Sequence, residues 1–163
     1  MRATRVITVL AAVALLGVAC DDDDATGIPS GLEVFTAELN GANERPDPVT
    51  TPATGTAIIT VMDNLVSWKV DVTNISNVVL GHIHFGVADS AGGVMVNLSP
   101  TNGTFATTTT VALGSLVVND TVLTHMRNGR TYVNIHTSDG AADPVGPAGD
   151  YPAGEIRGQL RRQ

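Results

Sequence analysis

Short runs in which apolar and polar residues alternate restrict the fold of this 163-residue chain more than any other feature. In residues 65–72, Val66, Trp68, Val70 and Val72 alternate with serine, lysine and aspartate. Because successive side chains of an extended strand point to opposite faces, such a run predicts a strand with one buried face. The pattern recurs along the chain between glycine, proline, asparagine and aspartate clusters, and it predicts an all-β protein.

Eight segments have this strand-like pattern. They are residues 33–39, 55–62, 65–72, 79–86, 93–98, 104–113, 130–137 and 154–160. We therefore expect an antiparallel Greek-key sandwich or barrel of about eight strands. Asp63-Asn64 suits a tight hairpin turn between the second and third strands. One short helix is expected at 120–128, ended by Gly129.

The first nineteen residues have the pattern of a secretory signal peptide. Arg2 and Arg5 form a basic start, and residues 6–18 form an uncharged, mostly apolar run that is short for a transmembrane helix. Cys20 follows small residues and precedes four aspartates, as in bacterial lipoproteins, whose lipidated cysteine becomes the mature N-terminus. Leu16 stands one position earlier than the leucine of the usual lipoprotein signal. The alternative is an ordinary signal peptide beside an unmodified cysteine.

A lipidated Cys20 leaves no cysteine for disulfides, because the chain has only this one. The fold must then depend on its core, even in a compartment where disulfides can form. We expect an exported protein that is lipid-anchored to a bacterial membrane, in the periplasm or at the cell surface. Residues 20–31 would be its anchor and linker, and residues 32–163 a single domain.

The chain is acidic. Removal of residues 1–19 takes away two of the nine basic residues and none of the 16 acidic ones, so the formal charge changes from −7 to −9. Such a charge argues against nucleic acid as a partner. The partners that we expect are the membrane, through the anchor, and a metal ion.

Three of the four histidines lie where strands would present them together. His82 and His84 are two residues apart in the segment 79–86, so both would point to one face. His136 lies in the segment 130–137, and if the two strands are neighbours the three imidazoles converge. Imidazole binds several transition metals, of which we expect copper, with zinc as the alternative.

The other polar residues allow two readings. Histidines on strands often donate to carbonyls or pack at sheet edges, and this structural role is the alternative for all three. His125 is a candidate fourth ligand, although it lies in the predicted helix without a partner at ligand spacing. Glu155, Arg157 and Gln159 share one face of their strand, where they could support the ligands or pair with cross-strand charges.

Five separated motifs carry a resemblance to a known family. They are Leu-Asn-Gly-Ala-Asn-Glu at 39–44, Thr-Thr-Pro-Ala-Thr-Gly-Thr at 50–56, Gly-His-Ile-His at 81–84, Gly-Arg-Thr-Tyr-Val-Asn-Ile-His-Thr at 129–137 and Tyr-Pro-Ala-Gly-Glu-Ile-Arg-Gly-Gln-Leu at 151–160. In this order they resemble the CHRD domain, which is named from repeats in the developmental antagonist chordin and also occurs singly in bacterial exported proteins. The resemblance covers nearly all of the chain after the linker. It departs from the family at Asn43–Pro46 and in the long segment between His136 and Tyr151. Because chordin's growth-factor binding is attributed largely to its other domains, the function must be argued from the site.

The expected site is also similar in type to that of copper-zinc superoxide dismutases, which are Greek-key barrels with a His-x-His pair, further histidines and an arginine around an open copper ion. By this analogy of geometry alone, the three histidines would hold copper and Arg157 would attract the superoxide anion. We therefore expect a copper-dependent superoxide dismutase. The alternative is a non-catalytic module that binds copper, another protein or a cell-surface polymer.

Overall fold

The computed structural model describes residues 31–141 and 149–163. Within these ranges the strands are β1 (Leu32–Asn40), β2 (Thr54–Met62), β3 (Leu65–Thr73), β4 (Ile75–Phe85), β5 (Val94–Asn97), β6 (Gly103–Phe105), β7 (Thr109–Val117), β8 (Thr131–Thr137), β9 (Ile156–Gln159) and β10 (Arg161–Arg162). One α-helix, α1 (Asp120–Arg127), lies between β7 and β8. The predicted all-β class with one short helix is confirmed. The predicted signal peptide, Cys20 and all but the last residue of the linker lie outside the described residues.

The ten strands form one antiparallel sheet. Its main path runs β5-β4-β8-β9-β1-β2-β3-β7, with β6 added to β4 and β10 added to β1. The sheet curls into a half-barrel. The predicted hairpin turn joins β2 to β3, and Asp63 adopts the left-handed conformation there, with a φ of 54°. Aspartate tolerates this conformation better than most residues.

The apolar faces of the strands meet in one core. Val66, Val70 and Val72 have no exposed surface and Trp68 is 7% exposed, as their alternation predicts. The indole Nε1 of Trp68 donates to the carbonyl of Leu98 at 3.3 Å, which ties β3 to the segment after β5. Burial of these side chains is the main stabilising contribution to the fold.

The helix α1 closes one end of this core. Its N-cap is Asn119, whose side chain accepts a hydrogen bond from the amide of Val122 at 3.1 Å. Val122, Leu123 and Met126 are buried, so one face of the helix packs on the sheet. No helix within the described part of the chain is long and apolar enough to cross a membrane.

The threonine-rich segment differs from the prediction. Residues 104–113 were expected to form one strand, but β6 pairs with β4 and β7 pairs with β3. The chain therefore crosses from one strand neighbour to another within the run. Threonine favours strands on either side of such a crossing, so composition gives no sign of it.

Strand β8 is buried on both faces, because all seven of its residues are buried. Its second face is covered by loops. The amide of Asn43 donates to the carbonyl of Arg157 at 3.1 Å, and the backbone N–H of Gly92 donates to the Tyr132 hydroxyl at 3.1 Å. These loops enclose a polar layer on the outside of the sheet.

Gly158 is needed where β9 passes β1, and its replacement tests this packing. A Cβ atom at this position would lie 2.5 Å from the carbonyl oxygen of Glu38 and 3.0 Å from Cβ of Ala37. We expect Gly158→Ala to lower the free energy of unfolding by about 1–3 kcal/mol, because the backbone must shift. Gly93 has open space around it and is the matched control, so Gly93→Ala should stay within about 0.5 kcal/mol of wild type. Urea unfolding followed by Trp68 fluorescence measures both, and equal midpoints for the two variants would refute this packing.

Candidate metal centre

The site is built on two neighbouring strands, β4 and β8. In their antiparallel register His82 pairs with Asn134, His84 with Tyr132 and Leu80 with His136. Cross-strand partners share a face of the sheet, so all three histidines lie on the loop-covered face. The prediction that their two strands are neighbours and present the histidines together is confirmed.

The three imidazoles form one cluster. The His82 ring centroid lies 5.3 Å from that of His84 and 4.9 Å from that of His136. His82 Nδ1 is 3.0 Å from His136 Nε2, and one nitrogen from each ring lies within 4.8 Å of the others. Two nitrogens on one tetrahedral ion, at about 2.0–2.1 Å each, lie about 3.3 Å apart. The closest pair is thus near ligand spacing, and no pair needs more than about 1.5 Å of closure.

Backbone carbonyls fix two of the rings. Nδ1 of His84 lies 2.9 Å from the carbonyl oxygen of Gly92, and Nδ1 of His136 lies 2.9 Å from that of Pro152. Since a carbonyl can only accept, each Nδ1 holds the proton and each Nε2 holds the lone pair. The carbonyl contacts expected of structural histidines are therefore present, but they use Nδ1, which we call the outer nitrogen of these two rings. They leave Nε2, the inner nitrogen, without a proton.

Because Nδ1 of each of these rings is used by a carbonyl, the Nε2 atoms of His84 and His136 are the nitrogens left for coordination. Nε2 of His84 is buried and has no hydrogen-bond partner within the described residues. A buried polar atom without a partner is costly in an interior, and a metal ion would satisfy this one. Ligating histidines typically donate their other ring N–H to a carbonyl, which is the arrangement of His84 and His136.

Burial keeps the cluster neutral. Desolvation lowers the pKa of His136 to about 4, although its hydrogen bond to Pro152 opposes this shift. Desolvation also lowers the pKa of His82 and of His84. Neutral imidazole is the form that coordinates metal. The rings are therefore still able to bind metal at pH values below the ordinary histidine pKa.

Arg157 is buried beside the cluster and is 1% exposed. Its Nη2 donates to the carbonyls of Val87 and Ser90, both at 2.8 Å, and its guanidinium carbon lies 3.5 Å from the Tyr132 ring centroid. The side chain thus holds the loop between β4 and β5. The attraction of an anion by Arg157 stays a prediction. Because Arg157 is buried, such attraction would depend on the electric field of its charge and not on contact with the anion.

Tyr132 links that loop to His84. The two rings are stacked, with centroids 5.0 Å apart and planes 7° apart. The Tyr132 hydroxyl also accepts from the N–H of Gly92, whose carbonyl binds His84. One residue therefore fixes both the plane of the His84 ring and the acceptor of its proton.

Glu155 holds the second loop of the site, which carries the carbonyl of Pro152. It has no exposed surface, and its carboxylate accepts from the hydroxyls of Thr51 and Thr137 at 2.5 and 2.7 Å and from the N–H of Gly149 at 3.0 Å. Gly149 and Glu155 bracket the segment that supplies the Pro152 carbonyl. Glu155 thus supports His136 through this segment, as a residue around the ligands and not as one of them.

The structure does not bring His125 to the cluster. Its ring packs against Phe85 with centroids 4.6 Å apart. Phe85 follows His84 in β4 and so points to the opposite face. Within the described ranges, the group of side chains that could hold a metal ion contains His82, His84 and His136 alone.

Glu44, which the sequence analysis did not select as a site residue, lies beside the site together with Asn134. Glu44 is 4% exposed and accepts from the amide of Asn134 at 3.4 Å, and Asn134 is in register with both His82 and Arg157. Burial raises the pKa of Glu44 to about 7, although the charge of Arg157 opposes the shift. Glu44 lies in a loop, where alternation gives no signal, and its place in the motif at 39–44 was the one available clue.

The family model described as the CHRD domain matches residues 35–145 of the chain. This range contains the three clustered histidines and Glu44, and it ends before Arg157. No curated protein and no solved structure matches the chain.

The variant Glu44→Gln tests the buried acid. Between pH 4.5, the ordinary value, and pH 7 the unfolded chain releases this proton while the folded protein keeps it, so wild type loses stability as the pH rises. Glutamine has no such proton. We expect the variant to match wild type near pH 4 and to exceed it by on the order of 3 kcal/mol at pH 8.

Urea unfolding at several pH values provides the measurement. Glu38→Gln, at an exposed position, is the control and should follow wild type throughout. Parallel curves for Glu44→Gln and wild type would contradict a carboxyl that is protonated in the folded state.

Proposed function

This chain belongs to the CHRD domain family, and on that premise we propose that it is a metal-binding member of it, with His82, His84 and His136 holding one copper ion. The observation that carries the proposal is that the two nitrogens of each buried ring have different surroundings. Nδ1 of His84 and of His136 is held by a backbone carbonyl, and Nε2 of His84 is buried without a hydrogen-bond partner in the part of the chain that the structure describes.

The donor set supports copper. It consists of three neutral imidazole nitrogens, without a carboxylate or thiolate among the clustered ligands. Imidazole suits copper and zinc, and the Irving–Williams order favours copper at such a set. Zinc is the second metal that the set would hold.

The three ligands differ in burial. His84 and His136 are 8% and 6% exposed and are fixed, whereas His82 is partly exposed. His82 Nδ1 faces His136 Nε2, so coordination through both atoms requires the shared proton to leave. His82 can hold a proton on its other ring nitrogen, Nε2, while the proton between the two rings is released to water. The exposed side of the site is therefore the side from which a metal ion, and then a small ligand, would enter.

Copper-dependent superoxide dismutation is the sharper form of this proposal. Three nitrogen ligands leave coordination positions for a small anion. Burial lowers the pKa of His84 and the positive charge of Arg157 adds to this shift, so the field of Arg157 extends into the site. The net charge of −9 after removal of residues 1–19 opposes long-range steering of an anion. The alternative is a copper-binding or protein-binding module without turnover.

The proposed location follows from the sequence. We propose that Cys20 is lipidated and holds the domain at a bacterial membrane, because a basic start, an apolar run and small residues precede it. The fold is compatible with this location, since the strands and α1 are held by burial and hydrogen bonds and need no disulfide.

Copper binding is tested with variants of the two buried ligands. We expect the mature protein to bind one equivalent of copper, and His84→Ala and His136→Ala to lose it, because each removes a fixed nitrogen. His125→Ala is the matched control and should bind like wild type. Metal content after dialysis against a weak chelator gives the stoichiometry. Absence of binding in wild type, or an equal loss in His125→Ala, would refute the three-histidine site.

Superoxide consumption by the copper-loaded protein tests the sharper form. We expect turnover in wild type and in His125→Ala, and none above free copper in His136→Ala. Pulse radiolysis measures the decay of superoxide directly. Full copper occupancy with decay at the rate of the metal-free protein would rule out dismutation and leave the binding module.

A further inference from the structure

Four apolar side chains form a row across one end of the sheet. Leu32 of β1 pairs with Met62 of β2, Met62 pairs with Leu65 of β3, and Leu65 pairs with Val117 of β7. Cross-strand partners share a face, so the four side chains are contiguous. Met62 and Leu65 are each 43% exposed and Val117 is 71% exposed.

The row is confined to the end of the sheet. The next row on the same face is Val34, Thr60, Ser67 and Ser115, which is mostly polar. In the row after that, the charged Lys69 separates Ile58 from Leu113. Contiguous exposed apolar side chains on this face therefore occur only in the terminal row, which we call the apolar end row.

The apolar end row adjoins the point where the chain leaves the sheet. Leu32 is the first residue of β1, and Cys20 precedes it by twelve residues. Twelve residues span at most about 40 Å, so a lipid on Cys20 keeps the row close to the bilayer. Such tethering gives a weak surface contact a high effective concentration.

We propose that the apolar end row rests on the lipid bilayer when the protein is anchored. This inference rests on the proposed lipidation of Cys20 and is independent of the metal. A few partly exposed side chains bury little apolar area, so the contact requires the tether.

The charges at this end determine which lipids suffice. Arg127 and Arg162 share the carboxylate of Glu33, at 2.6 and 3.3 Å, and Asp63 lies in the adjoining turn. Among the described residues this end thus has no basic patch, and the contact depends on apolar area. Zwitterionic lipid should therefore support it as well as anionic lipid.

The orientation has a consequence for the metal centre. Asn40, at the other end of β1, pairs with Arg157, and the register continues through Asn134 to His82. Asn40 is eight residues from Leu32, or about 26 Å along the strand at ~3.3 Å per residue. The histidine cluster then faces the aqueous compartment, from which a metal ion and a small substrate would arrive.

Site-specific quenching tests the contact in the full lipidated protein. Leu65→Cys and Val117→Cys are labelled with a fluorophore, and Leu80→Cys is the matched control, because Leu80 is 46% exposed and pairs with His136 at the far end. The protein is reconstituted into phosphatidylcholine vesicles that contain a lipid with a quencher high on its acyl chain. We expect several-fold stronger quenching at positions 65 and 117 than at position 80.

The outcomes separate the proposals. Protein that floats with the vesicles but shows equal, weak quenching at all three positions would overturn the membrane contact and leave the anchor intact. Protein that does not float would overturn both, while copper binding would be unaffected. Labels at 65 and 117 that are shielded from an aqueous quencher only at high protein concentration would instead assign the row to contact between two copies, against the inference.

Discussion

The antiparallel register between β4 and β8 positions the candidate metal centre. It sets His82 opposite Asn134 and His84 opposite Tyr132, and it brings His136 to the same face. A shift of one residue would turn one set of side chains to the other face and separate the cluster. The register is fixed from the core side, because Ile83 of β4 and Val133 and Ile135 of β8 have no exposed surface. The apolar packing of one face thus determines the chemistry of the other.

The loops then convert a group of histidines into a possible metal site. Gly92 and Pro152 accept the Nδ1 protons of His84 and His136, and buried polar side chains hold the two loops that carry these carbonyls. Arg157 and Tyr132 hold the first loop, and Glu155 holds the second. Buried charges are costly unless they are hydrogen-bonded, which explains why Arg157 and Glu155 each make more than one hydrogen bond. The free-energy cost of burying these side chains is explained if the polar layer holds metal ligands in place, since ligand geometry must be accurate to a few tenths of an ångström.

The local parts of this account could be predicted from the sequence. The terminating Gly129 placed the helix at 120–128, where α1 spans Asp120–Arg127, and alternation placed a strand at 65–72, where β3 spans Leu65–Thr73. It also placed the three histidines on matching faces. The predicted strand at 104–113 failed because its two halves pair with different neighbours, which is a non-local property. The carbonyls of Gly92 and Pro152 could not be predicted, since a backbone acceptor has no signature in residue type. Glu44 lies in a loop and depends on the folded packing for its burial.

The central claim is that His82, His84 and His136 hold one metal ion. The coordinating atoms are Nε2 of His84, Nε2 of His136 and one nitrogen of His82. The most direct measurement is the anomalous scattering of a crystal of the copper-loaded protein at the copper absorption edge. The account predicts one peak at about 2.0–2.1 Å from His84 Nε2 and His136 Nε2 and from one nitrogen of His82. It also predicts that both Nδ1 hydrogen bonds, to Gly92 and to Pro152, remain in place. A peak elsewhere, or copper bound to Nδ1 of His84 with the Gly92 hydrogen bond broken, would contradict it.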